Sequence, residues 1–162
     1  MTQEGQSARK KEIAQKQTAL FSEDIDEVGD AHWLTPLWLM EQLEAEFHFD
    51  YDACPYPRPA GFDSKQEEWG QSTWVNPPVA KGKNSSFSSW VHKAVEEHRK
   101  GKQVVMILPF PRWMRELLQE GAEFRFPGVI HFLNPRGIPS KSEGGGRIPD
   151  ILVIMRPKEK PA

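Results

Sequence analysis

The sequence predicts an α/β fold in which a compact, mostly parallel sheet is sandwiched between helices. Three observations predict it. Helix-type and strand-type stretches alternate from residue 32 to residue 155, the order used by layered α/β domains. Val104-Val105-Met106-Ile107-Leu108 is an unbroken apolar run, as a strand covered on both faces requires. Phe87, Trp90, Val91, Ala94, Val95 and His98 recur at three- and four-residue steps, which places one apolar face along a helix.

Residues 1–30 are polar, with weak periodicity and a mixed-charge run ending SEDIDEVGD. They are expected to form a flexible arm outside the core, with one domain over 31–157 and a tail at 158–162. Thr35-Pro36 reads as a helix start, a hydroxyl N-cap followed by proline at the first helical position. Leu34 and Leu39 form the expected hydrophobic staple, and Leu37, Met40, Leu43 and Phe47 carry the apolar face. Phe49-Asp50-Tyr51-Asp52-Ala53 alternates rings and carboxylates, a short strand ending in acid. The proline-rich CPYPRPAGFDSKQEEWG that follows is a loop. Thr73-Trp74-Val75 is a brief β-type run stopped by Asn76-Pro77-Pro78. The helix from Phe87 takes Ser85 or Ser86 as its cap and closes at Gly101. Pro109 ends the strand at 104–108, a helix over 111–120 ends at Gly121, and 123–126, 129–133 and 150–155 are short strands. Between the last two lies NPRGIPSKSEGGGRIP, long enough for a lid or binding loop.

Bulk properties narrow the function. A chain of 162 residues with 38% apolar and 27% charged residues fits one ordinary globular domain that buries about two-thirds of its unfolded surface. No apolar run approaches the roughly 20 residues of a membrane span. The N-terminus lacks the apolar centre of a secretory signal, and the single cysteine, Cys54, suits a reducing compartment. A cytoplasmic protein is therefore expected. The net charge of −2 excludes nucleic-acid binding by overall charge and leaves local patches. These are Arg9-Lys10-Lys11, the stretch 93–102, and Arg112, Arg115, Arg136, Lys141 and Arg147. Of six tryptophans, Trp33, Trp74, Trp90 and Trp113 stand beside motif-like segments, where they pack a core or line a pocket for flat rings. The histidines show no zinc-type spacing, so no metal is expected.

Two strand ends carry chemistry, Asp52 and Asn76, and ligands of open parallel sheets bind outside such ends. Pro77 and Pro78 fix the backbone after Asn76 and remove two donors, leaving a stiff run of carbonyls. An amide oxygen beside them accepts hydrogen bonds from an exocyclic amine. Such a site turns the nitrogen lone pair out of conjugation and toward an electrophile, so catalysis rests on positioning and desolvation.

The order Trp33-x-Thr35-Pro36, Phe49-Asp50-Tyr51-Asp52-Ala53, Asn76-Pro77-Pro78, Trp90-Val91 and Leu108-Pro109 resembles the phage-type DNA N6-adenine methyltransferases, the Dam-like family, over roughly residues 30–156. The resemblance implies a compact, reduced Rossmann-like methyltransferase fold, mostly parallel with antiparallel C-terminal strands. It implies S-adenosylmethionine as methyl donor and a flipped adenine in DNA as acceptor, in a host cytoplasm if the chain is phage-encoded. By the same resemblance Trp33, Thr35 and Pro36 border the cofactor, Asp52 and its neighbour Asp50 contact it, and Asn76, Pro77 and Pro78 open the catalytic (D/N)PP(Y/F) motif. Arg112, Arg136 and Arg147 are the candidate DNA phosphate contacts. Val79 stands where the motif has a ring that stacks on the target base, a contact worth about 1–3 kcal/mol; Phe87, Phe110 and Trp113 are the rings available to replace it. Asp52-Ala53-Cys54-Pro55 also stands where wider methyltransferase families place glycines. Two other readings stay open: a protein glutamine N5-methyltransferase, and a methyltransferase fold without activity that binds DNA or a protein. With 23 residues between Asp52 and Asn76, no separate target-recognition domain fits, and specificity falls to loops.

Overall fold

The computed structural model describes residues 33–78, 87–109, 112–139 and 150–158. The expected N-terminal arm, the C-terminal tail beyond residue 158, the Ser85 or Ser86 cap, Val79, Phe110 and Arg147 lie outside the described residues. The elements run α1 (Leu37–Phe47), β1 (Tyr51–Asp52), β2 (Ser72–Val75), α2 (Phe87–Arg99), β3 (Gln103–Pro109), α3 (Met114–Gln119), β4 (Glu123–Arg125) and β5 (Asp150–Met155). The strands make one sheet in the order β1-β2-β3-β5-β4. β1, β2 and β3 are parallel, while β5 is antiparallel to both β3 and β4. The mostly parallel sheet with antiparallel C-terminal strands is therefore present.

Alternation along the strands builds two cores. Val104, Met106 and Leu108 with Ile151, Val153 and Met155 pack on the side of α2 and α3. Val105 and Ile107 with Leu152 and Ile154 pack on the side of α1, against Leu39, Leu43 and Phe47. Pairing sets Met106 opposite Val153 and Ile107 opposite Leu152, so same-face partners meet across the ladder. A one-residue slip would exchange the two cores. Because both faces are covered, the strands read as continuous apolar runs.

Local departures from the sequence reading have physical causes. α1 starts from Pro36, whose carbonyl accepts from Leu39 and Met40 N–H at 3.1 Å each, and no side chain caps it. Thr35 is not the cap. The apolar stripe shifts accordingly: Leu37 is 46% exposed, and Leu39 takes the core position beside Leu43 and Phe47. The strand expected at 129–133 does not form. The chain leaves β4 through Pro127 and Gly128, the latter at φ 85°, and Ile130 drops into the α1-side core. Leu133 alone makes β-bridges, to Leu34 and to Pro139. The helix expected over 111–120 is shorter, and it begins after Trp113, held in a left-handed conformation at φ 64°.

Near the amino ends of β2 and β3 lies a buried charge cluster. Glu97, fully buried, accepts from Lys93 and Lys100 Nζ at 2.8 Å, Lys102 Nζ at 2.7 Å and the Trp69 amide at 3.3 Å. Lys102 Nζ also donates to Glu68 at 3.0 Å and to the Trp69 carbonyl. Burial alone would raise the Glu97 carboxyl, but the bonds from Lys100, Lys102, Lys93 and the Trp69 amide hold it down to about 2.

Within β2, Thr73 is fully buried, and among the described residues its hydroxyl has no hydrogen-bond partner. A buried hydroxyl left unpaired costs about 1–3 kcal/mol. Thr73→Val keeps the shape and removes the orphaned group, so it is expected to stabilise the protein by about 1 kcal/mol. A melting temperature raised by roughly 2–4 °C is the check; a lowered one would show that the hydroxyl is satisfied.

Candidate active site

The three parallel strands share their carboxyl ends, and the expected chemistry gathers there. In register, Asp52 lies opposite Trp74. Strand side chains alternate, so Asp52, Trp74 and Asn76, two residues further on, share the α1 side. Trp74 is part of the core on that side.

Asn76 is tied to the segment that leads into α1. Its Nδ2 donates to the Trp33 carbonyl at 2.7 Å and to Thr35 Oγ1 at 3.1 Å. A backbone carbonyl only accepts, so the nitrogen of the amide must face Trp33. That fixes the orientation of the whole group and turns Oδ1 away from the 33–35 segment. No described residue donates to Oδ1. The hydroxyl read from sequence as a helix cap is thus an anchor for a side chain 41 positions later. Pro77, buried, and Pro78, half-buried, hold the backbone that follows.

Asp52 is exposed to solvent, yet enough protein surrounds it that burial raises its carboxyl from 3.8 to about 6, against the pull of the Cys54 amide. That amide donates to Asp52 Oδ1 at 2.9 Å. Cys54 is beside it. Burial first, then the Asp52 charge, push its thiol well above its ordinary value, while the Lys65 charge and then the Asn76 backbone N–H draw it back. Asp52, Cys54 and Asn76 are therefore neighbours at the carboxyl ends of β1 and β2.

Asp50 is placed differently. Its carboxylate accepts the amides of Gln71 at 3.0 Å and Ser72 at 2.9 Å, at the amino end of β2. A side chain at Gly70 would strike Asp50 Oδ1 and Tyr51 Cβ, so glycine is what lets the chain close over this carboxylate. Asp50 thus fastens the 54–71 loop to the sheet, at the opposite end of β2 from Asn76.

On the α2 side, aromatic rings line the carboxyl ends of β2 and β3, where α2 and α3 begin. Phe87 and Trp113 lie 5.9 Å apart by ring centroids, and Trp113 Nε1 donates to Ser88 Oγ at 3.0 Å. Lys65 Nζ lies 4.6 Å over the Trp90 ring. A left-handed backbone at a bulky residue is costly and persists only where its surroundings hold it; here the Phe87 ring and the Ser88 hydroxyl do so. Arg112 is exposed, its guanidinium 5.4 Å from the Trp113 ring centroid. Arg136 is exposed in a turn that reaches the α1 side through Leu133 and Leu34. The structure therefore brings Trp33, Thr35, Asp52 and Asn76 together, sets Arg112 and Arg136 on opposite sides of the sheet, and gives Asp50 another task. Sequence reasoning missed the anchoring role of Thr35 and of the Trp33 carbonyl, which leave no local mark.

Among the described residues, no helix is long and apolar enough to cross a membrane. A family model for DNA N-6-adenine-methyltransferase (Dam) matches residues 22–162. No curated protein and no solved structure matches the chain.

Proposed function

The chain belongs to the DNA N-6-adenine-methyltransferase (Dam) family, and from that premise we propose that it methylates the N6 amine of an adenine flipped out of DNA, at Asn76-Pro77-Pro78, with S-adenosylmethionine as donor. DNA is the substrate of the family, and S-adenosylmethionine is the donor its members generally use. The observation that carries the reading is the orientation of the Asn76 amide. With its nitrogen spent on Trp33 and Thr35, the oxygen is left to accept from a substrate amine. The Pro77 carbonyl takes the second N–H. Holding both hydrogens draws the nitrogen lone pair out of the ring, and the rigid double proline keeps the acceptors in place without reorganisation.

The donor is assigned to the space beside this amide. Asp52 is the solvent-reachable carboxylate that would contact it, and Trp33, Thr35 and Pro36 would border it. When bound, S-adenosylmethionine supplies a methyl group made electrophilic by its sulfonium. Asn76 and the Pro77 carbonyl would hold the adenine nitrogen toward that methyl as it passed from sulfur to nitrogen, and the proton released would go to solvent. The Phe87–Trp113 pair offers the ring that the motif lacks at Val79. Arg112, Arg136 and Arg147 are the proposed contacts to DNA.

Asp52 gives the cofactor step a pH dependence. Its folded-state value is raised from 3.8 to about 6, so the ionised form prevails only above about 6. Donor affinity is expected to be flat above that pH and to fall about tenfold per unit below it, as the charged fraction does. The same shift means that ionised Asp52 costs the fold stability above pH 6, a cost absent below 3.8. Asp52→Asn should therefore leave the melting temperature at pH 7 unchanged or slightly higher, while donor affinity falls about tenfold or more, as for loss of a charged hydrogen bond. Calorimetry from pH 5 to pH 8 checks both statements; a pH-independent affinity would remove Asp52 from the donor site.

The direct test incubates the protein with labelled donor and mixed-sequence DNA, then identifies methylated nucleosides by mass spectrometry. N6-methyladenine is expected. Label found in protein instead would point to a glutamine acceptor, and absent donor binding would point to a fold without activity. Either result overturns the proposal.

A further inference from the structure

Building on that reading, we infer that the turn at residues 134–139 reads DNA bases beside the target adenine, with Arg136 as the residue that sets sequence preference. Asn134 builds the turn. Its Oδ1 accepts the amides of Arg136 and Ile138 at 2.9 Å each. The Gly137 amide donates to the Asn134 carbonyl at 2.8 Å, and the Asn134 amide to the Ile138 carbonyl at 2.9 Å. Gly137 takes φ 76°, which a side chain would resist. A bridge between Leu133 and Pro139 closes the base.

This turn is fastened to the catalytic amide. Leu133 and Leu34 exchange both backbone bonds, at 2.7 and 2.9 Å. Leu34 stands between Trp33 and Thr35, the two residues that hold Asn76. Hydrogen bonds and adjacent chain links thus join Asn134 to Asn76. Arg136 is three residues from Leu133, at most about 11 Å of chain. It therefore falls within the same helical turn of a duplex, about 34 Å long, as a base held at Asn76.

The tip carries the chemistry of base readout. Arg136 and Gly137 are exposed, and Ile138 is 55% exposed. A guanidinium pairs with the two acceptors on a guanine edge, and an apolar side chain meets a thymine methyl. A phosphate contact would use the arginine but gives no role to an exposed isoleucine beside it. Because the turn is already closed, presenting these groups costs little additional ordering. The chain holds no room for a separate recognition domain between Asp52 and Asn76, and this turn supplies the function in six residues.

The test uses the full chain, labelled S-adenosylmethionine and a pool of duplexes with randomised flanks around adenine, with methylated sites read by sequencing. For Arg136→Ala, kcat/KM on the preferred flanks is expected to fall about ten- to a hundredfold, the scale of one good base contact. Poor flanks should change less than about twofold, so the preference flattens. Asn134→Ala, which opens the turn, should flatten it as well. Donor binding by calorimetry should be unchanged in both variants. A uniform loss across all flanks would make Arg136 a phosphate contact and overturn the inference, as would an unaltered preference. Wild-type protein that transfers no methyl to any duplex sinks the enzymatic reading alone. The turn is then judged by anisotropy with the same labelled pool, where equal selectivity of wild type and Arg136→Ala overturns it and a loss of selectivity supports it.

Discussion

Asn76→Ala is expected to lower methyl transfer at saturating DNA and donor by about 10²–10³-fold or more, the usual loss when one preorganised catalytic hydrogen-bonding group is removed. Two functions would disappear together: the oxygen proposed to accept from the substrate amine, and the nitrogen that locks it by way of Trp33 and Thr35. Asn76→Asp separates them. The family motif admits either residue at this position, but a carboxylate has no hydrogen for the Trp33 carbonyl. The aspartate is therefore expected to swing away and to recover little of the rate, although an acceptor oxygen is retained. Single-turnover kinetics with donor affinity measured alongside is the check. Donor affinity within a few-fold of wild type, with the rate constant collapsed, is the expected pattern. An alanine variant that keeps a third of the rate would end the assignment of this amide to the chemical step. Some stability is also lost, about 1–2 kcal/mol for two hydrogen bonds.

The second large effect lies near the opposite ends of the strands. Glu97→Ala leaves Lys102 buried without its main counter-charge, and breaking a buried pair from one side costs about 3–5 kcal/mol. For a chain of this size that corresponds to a melting temperature lowered by roughly 6–20 °C. The pH dependence follows from the direction of the shift. Glu97 is held at about 2 in the folded protein, against 4.5 unperturbed. Its stabilisation is complete above about 4.5 and is lost as pH falls toward 2. Glu46, drawn down to about 2 by bonds to Arg125 and then Arg156, acts in the same direction over the same window. Wild-type protein should therefore lose melting temperature steeply between pH 4.5 and 2, and Glu97→Ala should show a shallower slope. Replacing Glu97 and Lys102 together by methionine should recover most of the loss, since apolar replacements of whole buried pairs are often neutral. A single variant as stable as wild type would mean that the cluster carries no net weight.

Sequence served well where structure is decided locally. The strand at 104–108 and the helix from Phe87 are legible because burial on two faces, or on one, imposes its own periodicity. Asn76-Pro77-Pro78 was legible as a strand-ending turn because two prolines permit little else. What escaped depends on partners distant in the chain. A threonine before a proline looks the same whether it caps a helix or receives an amide from residue 76. Leu37 and Leu39 both fit an apolar stripe, and only the docking of α1 on the sheet decides between them. Asp50 and Asp52 alternate identically along one short stretch, yet one is consumed by the amides of Gln71 and Ser72 and the other stays open to solvent. The apolar run at 150–155 announces a strand covered on both sides but not its direction.

That direction has a topological consequence. Because β5 runs against β3, Asp150 enters the sheet opposite Pro109, on the rim where catalysis is proposed. Pro139, bridged to Leu133 beside Leu34, leaves the described chain on that rim as well. Both ports of the glycine-rich insert thus open onto one side of the molecule. Lengthening or trimming that insert is expected to leave every strand pairing in place. A parallel β5 would have routed the chain in from the far side and forfeited that freedom.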